Sequence, residues 1–508
     1  MELRYLKKLK SGSDVRGIAS ELGSPITLTN EAVYDITRAF CAWYEAKYFK
    51  KPAAIAVGHD VRISTERILE RVTAAINDAG IDVLDCGLCS TPSMFMLLKS
   101  GRACGASIMI TASHLPSDRN GLKFFTESGG LEGGDIDDIL ELAAAADFER
   151  SAVRGKATKC DYMPEYCADL VKKVRTACGE DRPLEGMKII VDAGNGAGGF
   201  FCEGVLQPLG ADTQGSIYTE PDGTFPNHIP NPEDKKAIDC LKAAVLREKA
   251  DLGIIFDTDV DRAGAVDCDG REINRNDLIA LAAVMVLENR PGTIVTDSVT
   301  SDGLTKFIES LGGKHLRFKR GYKNVIDEAM RRNANGEYCP LAIETSGHAA
   351  FAENYFLDDG AYLVVRILIC LAQQTKKGQT LSRLIAGLEH PAEEDEVRIS
   401  FNSLTEDFRA DGAKVIEHIK SAAPGMGCSL AHDNYEGVKV NFDKNNGDGW
   451  FLVRLSVHDP VMPINFESRC AGGNRIIAAK LLQLLQGCDF LDVTNLEKFI
   501  QNDGQPNK

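Results

Sequence analysis

Asp251-Leu252-Gly253-Ile254-Ile255-Phe256-Asp257-Thr258-Asp259-Val260-Asp261-Arg262 is an apolar run that stops at three carboxylates in alternate positions. Leu252 to Phe256 reads as a buried strand, a short apolar stretch bounded by turn residues. The carboxylates then lie in the loop at its end. A second loop of this kind lies far upstream. Thr111-Ala112-Ser113-His114-Leu115-Pro116 follows the apolar run Ala106 to Ile110 and offers a hydroxyl beside an imidazole. A hydroxyl that carries phosphate needs a divalent cation to spread its charge, and hard Mg²⁺ takes oxygen ligands. Together the loops point to phosphoryl transfer through Ser113, with metal held by Asp257, Asp259 and Asp261.

Each loop also has a plain reading as a turn. An EF-hand calcium loop is excluded, because it needs Gly at its sixth position and Glu at its twelfth. Arg262 and Cys268 stand there instead. A solvated acidic turn remains open for the aspartates taken alone.

Outward from these loops, strand-like and helix-like runs alternate. Ala54 to Val57, Val83 to Cys86 and Ser107 to Ile110 read as strands, and Thr65 to Ala79 and Ile136 to Ala146 as helices. The pattern restarts at Lys188 to Val191 and near Thr293 to Thr296. Such alternation predicts three related α/β units with mixed, largely parallel sheets. Arg150 to Lys159 and Arg271 to Asn276 are the expected boundaries. The last part differs. Glu396 to Ser400, Val438 to Phe442 and Trp450 to Val457 read as strands, with helices near Asp411 to Ser421 and Asn474 to Leu485. That predicts a smaller α+β domain. The expected division is 1–157, 158–270, 271–390 and 391–508.

Further stretches carry a family resemblance. They are Ser11-Gly12-Ser13-Asp14-Val15-Arg16-Gly17, Val57-Gly58-His59-Asp60-Val61-Arg62 and Pro221-Asp222-Gly223-Thr224-Phe225-Pro226-Asn227-His228. Pro230-Asn231-Pro232-Glu233 and Glu344-Thr345-Ser346-Gly347-His348 continue the set in order. With the two loops, they make the chain resemble the α-D-phosphohexomutases, the superfamily of phosphoglucomutase and phosphomannomutase. The resemblance implies four domains around a central cleft. It implies movement of phosphate between C1 and C6 of glucose or mannose, through a phosphoserine and a hexose 1,6-bisphosphate intermediate. Ser113 would be the phosphoryl carrier. Asp257, Asp259 and Asp261, with a phosphoserine oxygen, would bind Mg²⁺. Arg262 and Arg16 would contact the transferring group, Lys123 and His348 would move protons, and His114 would orient the serine loop. Glu344, Ser346 and His348 would meet the sugar, with Gly321 and Lys323 on a further substrate loop.

The family grips the distal phosphate with a loop of the form R-P-S-G-T-E-P followed by another arginine. Here the matching stretch is Arg454-Leu455-Ser456-Val457-His458-Asp459-Pro460-Val461-Met462-Pro463. Arg454 and Ser456 match, and Pro463 replaces the second arginine with a residue that has neither charge nor donor. The grip must differ, with His458, Arg469 or Arg475 as substitutes. This departure leaves open a phosphoglucosamine mutase or a non-catalytic relative that binds a sugar phosphate.

Composition bounds the rest. The length of 508 residues suggests about three or four domains. A net charge of −16 argues against a nucleic-acid partner, which would recruit a basic surface. Small sugar phosphates remain compatible, since a locally basic cleft can steer them. The 15 cysteines show no disulfide framework, which fits a reducing compartment. No apolar run reaches membrane-spanning length and no secretory segment follows Met1, so the expected location is cytoplasmic, with an organelle not excluded. Oligomeric state is not legible. Cys86-Gly87-Leu88-Cys89 is a possible redox pair, set against a strand that ends in a turn. Gly194, Gly196 and Gly199 form G-x-G-x-x-G between a strand and an expected helix. That is the context of a dinucleotide fold and makes an NAD(P)-dependent oxidoreductase the remote alternative. Asp192 places a negative charge where pyrophosphate would lie, and the glycines are read as serving a tight turn.

Overall fold

In the computed structural model, the described residues are 1–21, 24–456 and 459–501. They gather into two compact units that do not follow chain order. One comprises Met1–Met285 with Ser346–Ile385, the other Val286–Thr345 with the chain from Ala386 onward.

The first unit holds two sheets. In the larger, Ala54–His59 lies between Ala106–Ile110 and Asp82–Leu88, parallel to both. Arg119–Thr126 and Asp14–Ile18 extend the sheet antiparallel beyond Ala106–Ile110. The helices Asn30–Tyr48, Thr65–Asp78 and Gly133–Ala145 cover it. Ile36, Phe40, Val72, Ile108 and Phe124 fill the shared core. At the far edge Ala157–Lys159 pairs parallel with Asp82–Leu88. The sheet therefore runs to Lys159, past the break expected after residue 157, because Asp85 and Lys159 stay in register there.

The second sheet pairs Leu252–Phe256 parallel with Ile189–Asp192 and antiparallel with Ala263–Asp267. Parallel pairing thus runs to one edge of each sheet and antiparallel pairing to the other, so both sheets are mixed. A tight return after Phe256 permits a local antiparallel partner, whereas a parallel one needs a crossover.

The expected helix after the glycine-rich turn is not regular. A tight 3₁₀ turn at Ala197–Gly199 and a wider π-helical turn at Cys202–Leu206 take its place. A Cβ at Gly196 would lie 2.8 Å from the Thr258 carbonyl oxygen, and one at Gly199 would lie 2.1 Å from that of Thr219. Protein backbone fills the space that a pyrophosphate would need, so the glycines serve packing against the aspartate loop. The dinucleotide reading falls on this point.

In the second unit, Thr293–Thr296 is parallel to Lys314–Arg317 and Leu341–Ile343. The C-terminal sheet, ordered from Ser429–Leu430 through Val438–Phe442, Gly449–Val453, Val461–Ser468 and Glu393–Phe401 to Leu491–Asp492, is antiparallel throughout. Helices Phe408–Ala422 and Gly473–Leu484 pack on it through Val415, Ile419, Ile477 and Leu481. The strand expected to reach Val457 ends at Val453. One further bond joins Arg454 N–H to the Pro463 carbonyl, and Ser456 N–H then reaches Val461 across the turn. A buried charge cluster ties this sheet to the Thr293–Thr296 layer. Arg317 meets Asp302 at 2.8 Å, and Lys439 lies 3.3 Å from Asp302 and over the Trp450 ring.

Candidate active site

The strand Ala106–Ile110 delivers Thr111-Ala112-Ser113 into the interior, and Ser113 is 2% exposed. Its φ is +50°, an uncommon conformation for a residue with a side chain. The loop is held in that shape by Arg62. This fully buried guanidinium donates to the carbonyls of Ser113, Leu115, Pro116 and Arg119 at 2.5–2.8 Å. Asp60 takes Arg62 Nε at 3.2 Å and the Thr111 hydroxyl at 2.7 Å, and Thr111 Oγ1 in turn accepts Ser113 N–H. Sequence reasoning placed Asp60 and Arg62 in a family-like segment without giving them this task. No local pattern shows that a side chain will gather four carbonyls from a distant loop.

Leu252–Phe256 delivers the aspartates in the same way. Asp257, Asp259 and Asp261 are all buried, and their carboxylate oxygens approach within 4.8 Å of one another. Val260 between them has φ +67°, strained for a β-branched residue. The two loops meet: Ser113 Oγ donates to Asp257 Oδ2 at 2.8 Å. Arg262 turns back on Asp257 through its backbone N–H and Nε, both at 3.2 Å. Lys123, from Arg119–Thr126, lies 2.6 Å from Asp261 Oδ2 and 3.9 Å from Asp259 Oδ2. Thr91 at the start of helix Thr91–Lys99 donates its hydroxyl to Asp259 at 2.5 Å.

Burial, then the neighbouring Asp261 and Asp259 charges, holds the Asp257 carboxyl well above the usual carboxylate range. Burial acts the same way on Asp261, but Lys123, His348 and Arg262 outweigh it and hold that carboxyl far down. Asp259 Oδ1, Asp261 Oδ1 and Arg262 Nη2 are buried without a hydrogen-bond partner. Orphaned carboxylate oxygens converging on one point fit a hard divalent cation, and an orphaned guanidinium N–H beside them fits a bound anion.

Two histidines flank this centre with opposite character. His114 Nδ1 is 3.3 Å from Ser113 Oγ. Burial and the charges of Arg262, Arg16 and His348 press its pKa down to about 3, so it is neutral. His348 bonds Asp358 through Nδ1 at 2.5 Å. Burial favours its neutral form, but Asp358 and then Asp261 overcome this and raise its pKa to about 9. Asp358 was not expected from the sequence, although it closes the acidic Asp358-Asp359 pair that starts helix Gly360–Lys376. Arg16, on Asp14–Ile18, is paired with Asp14 at 2.8 Å.

Ser346 belongs to the first unit, and Glu344 to the second. Glu344 accepts the Gly321 N–H at 2.6 Å, where Gly321 starts the helix Tyr322–Ala334. Lys323 forms a same-helix pair with Asp327 at 2.8 Å. Arg454 is 7% exposed and donates to Asn465 at 3.0 Å, while its Nε has no hydrogen-bond partner. Ser456 Oγ accepts the Asp459 N–H. His458 lies outside the described residues. Arg469 and Arg475 do not sit beside Arg454. Arg469 follows Ser468, which pairs with Gly449 at the opposite end of the strand that leads to Arg454, and Arg475 is in the first turn of the helix beyond it. The nearer cation is Arg320. Its backbone N–H binds Glu436, and its charge acts on Arg454, whose pKa is lowered by burial despite Glu436.

The C-x-x-C cysteines do not form an activated pair. Burial pushes the Cys89 thiol up to about 12, and burial with neighbouring thiols raises that of Cys86 further.

Models of phosphoglucomutase/phosphomannomutase α/β/α domains I, II and III match residues 7–150, 164–270 and 274–390. The chain belongs to the phosphoglucomutase/phosphomannomutase family. It is 32% identical over 458 residues to a phosphoglucomutase of Neisseria meningitidis serogroup A, covering 90% of this chain and 92% of that one. It is 31% identical over 463 residues to a phosphomannomutase/phosphoglucomutase of Pseudomonas aeruginosa, covering 90% of each. A crystal structure of a family protein from Burkholderia thailandensis superposes with a TM-score of 0.79 at 27% identity, covering 96% of this chain and 98% of that one. The protein is a phosphohexomutase, an enzyme of the intramolecular phosphotransferase class. Among the described residues, no helix is long and apolar enough to cross a membrane.

Proposed function

We propose that this phosphohexomutase interconverts the 1- and 6-phosphates of glucose, mannose or both, through phosphoserine at Ser113 and a hexose 1,6-bisphosphate. The observation that carries this reading is the buried Ser113 hydroxyl, 2.8 Å from Asp257 in a cluster of three carboxylates. Asp257, Asp259 and Asp261 are suited to hold Mg²⁺, together with an oxygen of the phosphorylated serine. When bound, the metal supplies charge neutralisation for the transferring group.

The chain's own residues do the rest. A sugar hydroxyl attacks phosphorus, the bond from phosphorus to Ser113 Oγ breaks, and the bisphosphate forms. In the return step Ser113 Oγ takes the other phosphoryl group and a sugar oxygen regains its proton. His348, charged at neutral pH, is the proton donor to that oxygen, and Lys123 is the candidate for the opposite transfer. His114, with Nδ1 against the Ser113 oxygen, orients the serine loop. Arg262 and Arg16 contact oxygens of the transferring group through charge-assisted bonds. Glu344 and Ser346 recognise ring hydroxyls, with Gly321 and Lys323 at the start of the helix Tyr322–Ala334 as further substrate contacts. Arg454, Ser456 and His458 bind the distal phosphate. We read the chain as four successive segments, 1–159, 160–270, 271–390 and 391–508.

A coupled assay with glucose 1-phosphate, mannose 1-phosphate and glucosamine 1-phosphate, with and without hexose 1,6-bisphosphate, tests the reading. Turnover of glucose or mannose phosphate with bisphosphate activation is expected. Turnover of glucosamine phosphate alone would favour the glucosamine mutase, and binding without turnover the non-catalytic relative.

A further inference from the structure

Cys86 belongs to a motif that phosphoryl transfer leaves unused, and its strand runs beside a cysteine outside that motif, Cys160. Strands Asp82–Leu88 and Ala157–Lys159 run parallel, with Val83, Leu84 and Asp85 facing Ala157, Thr158 and Lys159. Cys160 N–H donates to the Asp85 carbonyl at 2.8 Å, so Cys86 and Cys160 follow directly on the last registered pair, Asp85 and Lys159. Lys159 Nζ meets Asp85 Oδ2 at 2.6 Å, which fixes those side chains on one face. Cys160, next after Lys159, is buried, and Cys86, next after Asp85, is partly buried at the bulge in its strand's pairing with Ala54–His59. Burial, then the Cys89 and Cys160 thiols, raise the Cys86 pKa. Neighbouring strands lie about 4.8 Å apart, inside the roughly 4.4–6.8 Å Cα separation that a disulfide spans.

The setting suits a bond that comes and goes. Ala157–Lys159 is the outermost strand of its sheet, three residues long and wholly exposed, and such edges open readily. All the described cysteines are free thiols. The strand that carries Cys86 leads within a few residues to Thr91, the hydroxyl that holds Asp259. A tether at Cys86 therefore restrains the segment that supports the aspartate loop.

We propose that Cys86 and Cys160 form a reversible disulfide by exchange with a low-molecular-weight disulfide. The Cys160 thiolate, beside the Arg102 guanidinium, attacks one sulfur of the small disulfide and releases one small thiolate. The Cys86 thiolate then attacks the Cys160 sulfur of the mixed disulfide and releases the second. Two protein thiols are oxidised, one small disulfide is reduced, and the two thiol protons pass to the departing thiolates. The raised Cys86 pKa makes it the slower, resolving partner, acting at the high effective concentration that the ladder imposes.

The test uses the full chain in glutathione buffers of graded redox poise, followed by rapid alkylation and peptide mass mapping. The expected result is a cross-linked Cys86–Cys160 peptide, two hydrogens lighter than the reduced pair and restored by reductant. Amide exchange at Ala157–Lys159 should slow on oxidation. Cys160→Ser and Cys86→Ser should each abolish the cross-link, and Cys104→Ser should keep it. Glutathione left attached to Cys160, a bridge from Cys86 to Cys89 or Cys104, or full alkylation of both thiols in the oxidised buffer would overturn the proposal. Mapping of the unmutated protein decides the matter even if a serine variant fails to fold.

Discussion

Ser113 combines burial, a left-handed backbone and a hydrogen bond to a carboxylate, and none of the three is needed for packing. Ser113→Ala should therefore lower turnover on the order of a thousandfold or more while leaving the melting temperature nearly unchanged. Intact-mass measurement should show phosphate on the unmutated protein only, and wild-type turnover in the alanine variant would sink the phosphoserine. A different residue sets part of the pH dependence of stability. His228 Nε2 lies 3.0 Å from Asp192 Oδ2, with both side chains buried. Burial favours neutral imidazole, but the bond to Asp192 and its charge prevail and raise the folded pKa above 6.5. A raised histidine pKa gives stability that is complete below the unfolded value. That contribution fades as pH rises from about 6.5 through the folded pKa. Thermal melts across this window should show His228→Gln losing stability most at low pH. A constant difference at every pH would mean that the imidazole is not charged in the fold.

At the scale of elements, two strand-ending loops carry the proposed chemistry, and a guanidinium from a third strand end shapes one of them. Arg62→Lys keeps the charge but loses the planar fork that serves four carbonyls. Displacing the serine loop by about an ångström costs on the order of a hundredfold in rate. Turnover should fall by that order although Lys retains the positive charge, and unchanged kinetics would remove Arg62 from the positioning role. Asp259→Asn or Asp261→Asn should weaken Mg²⁺ binding by at least the roughly 10–100-fold seen for outer-shell partners, read by calorimetry on the protein without substrate. Equal affinity in the variant would move the cation elsewhere. The strand ends were legible because an apolar run that stops at Asp257 or Thr111 advertises both the strand and its exit. Arg62 and Asp60 were not legible as partners of the serine loop, because those contacts join segments far apart in the chain, and Asp358, 10 residues from His348, had no local pattern to mark it. The left-handed turns at Ser113 and Val260 were hidden for another reason: neither residue type prefers that conformation, so tertiary contacts impose it. The glycine-rich turn reads as structural, with a remote dinucleotide alternative left open. Its spacing is right for a dinucleotide, and only the Thr258 backbone beside Gly196 shows what the space is for.

Over the whole molecule, the serine, the aspartates and both proton-transfer candidates belong to one compact unit, while Glu344 and Arg454 belong to the other. Self-contained chemistry in the first unit predicts a separation of phenotypes. Arg454→Ala should raise KM for the sugar phosphate strongly and slow the reaction, yet leave the Mg²⁺ affinity of the aspartate loop unchanged. The same split bears on the missing second arginine. Pro463 sits within the strand Val461–Ser468, facing Arg398, and its carbonyl anchors the Arg454 N–H. It shapes the loop and supplies no charge. Arg320 is held close by, with its N–H on Glu436 and the next N–H, that of Gly321, on Glu344. Two successive backbone groups thus tie the Glu344 carboxylate to the neighbourhood of Arg454. If Arg320 supplies the second cation, Arg320→Ala should raise KM by about tenfold or more, as expected for a lost charge-assisted phosphate contact. Arg320→Lys should recover part of that loss, because the positive charge remains while the bidentate geometry does not. Pro463→Arg in the Arg320→Ala background should fail to restore affinity, since position 463 is committed to the strand. Full rescue by Pro463→Arg, or an unchanged KM in Arg320→Ala, would return the second grip to the loop after Ser456.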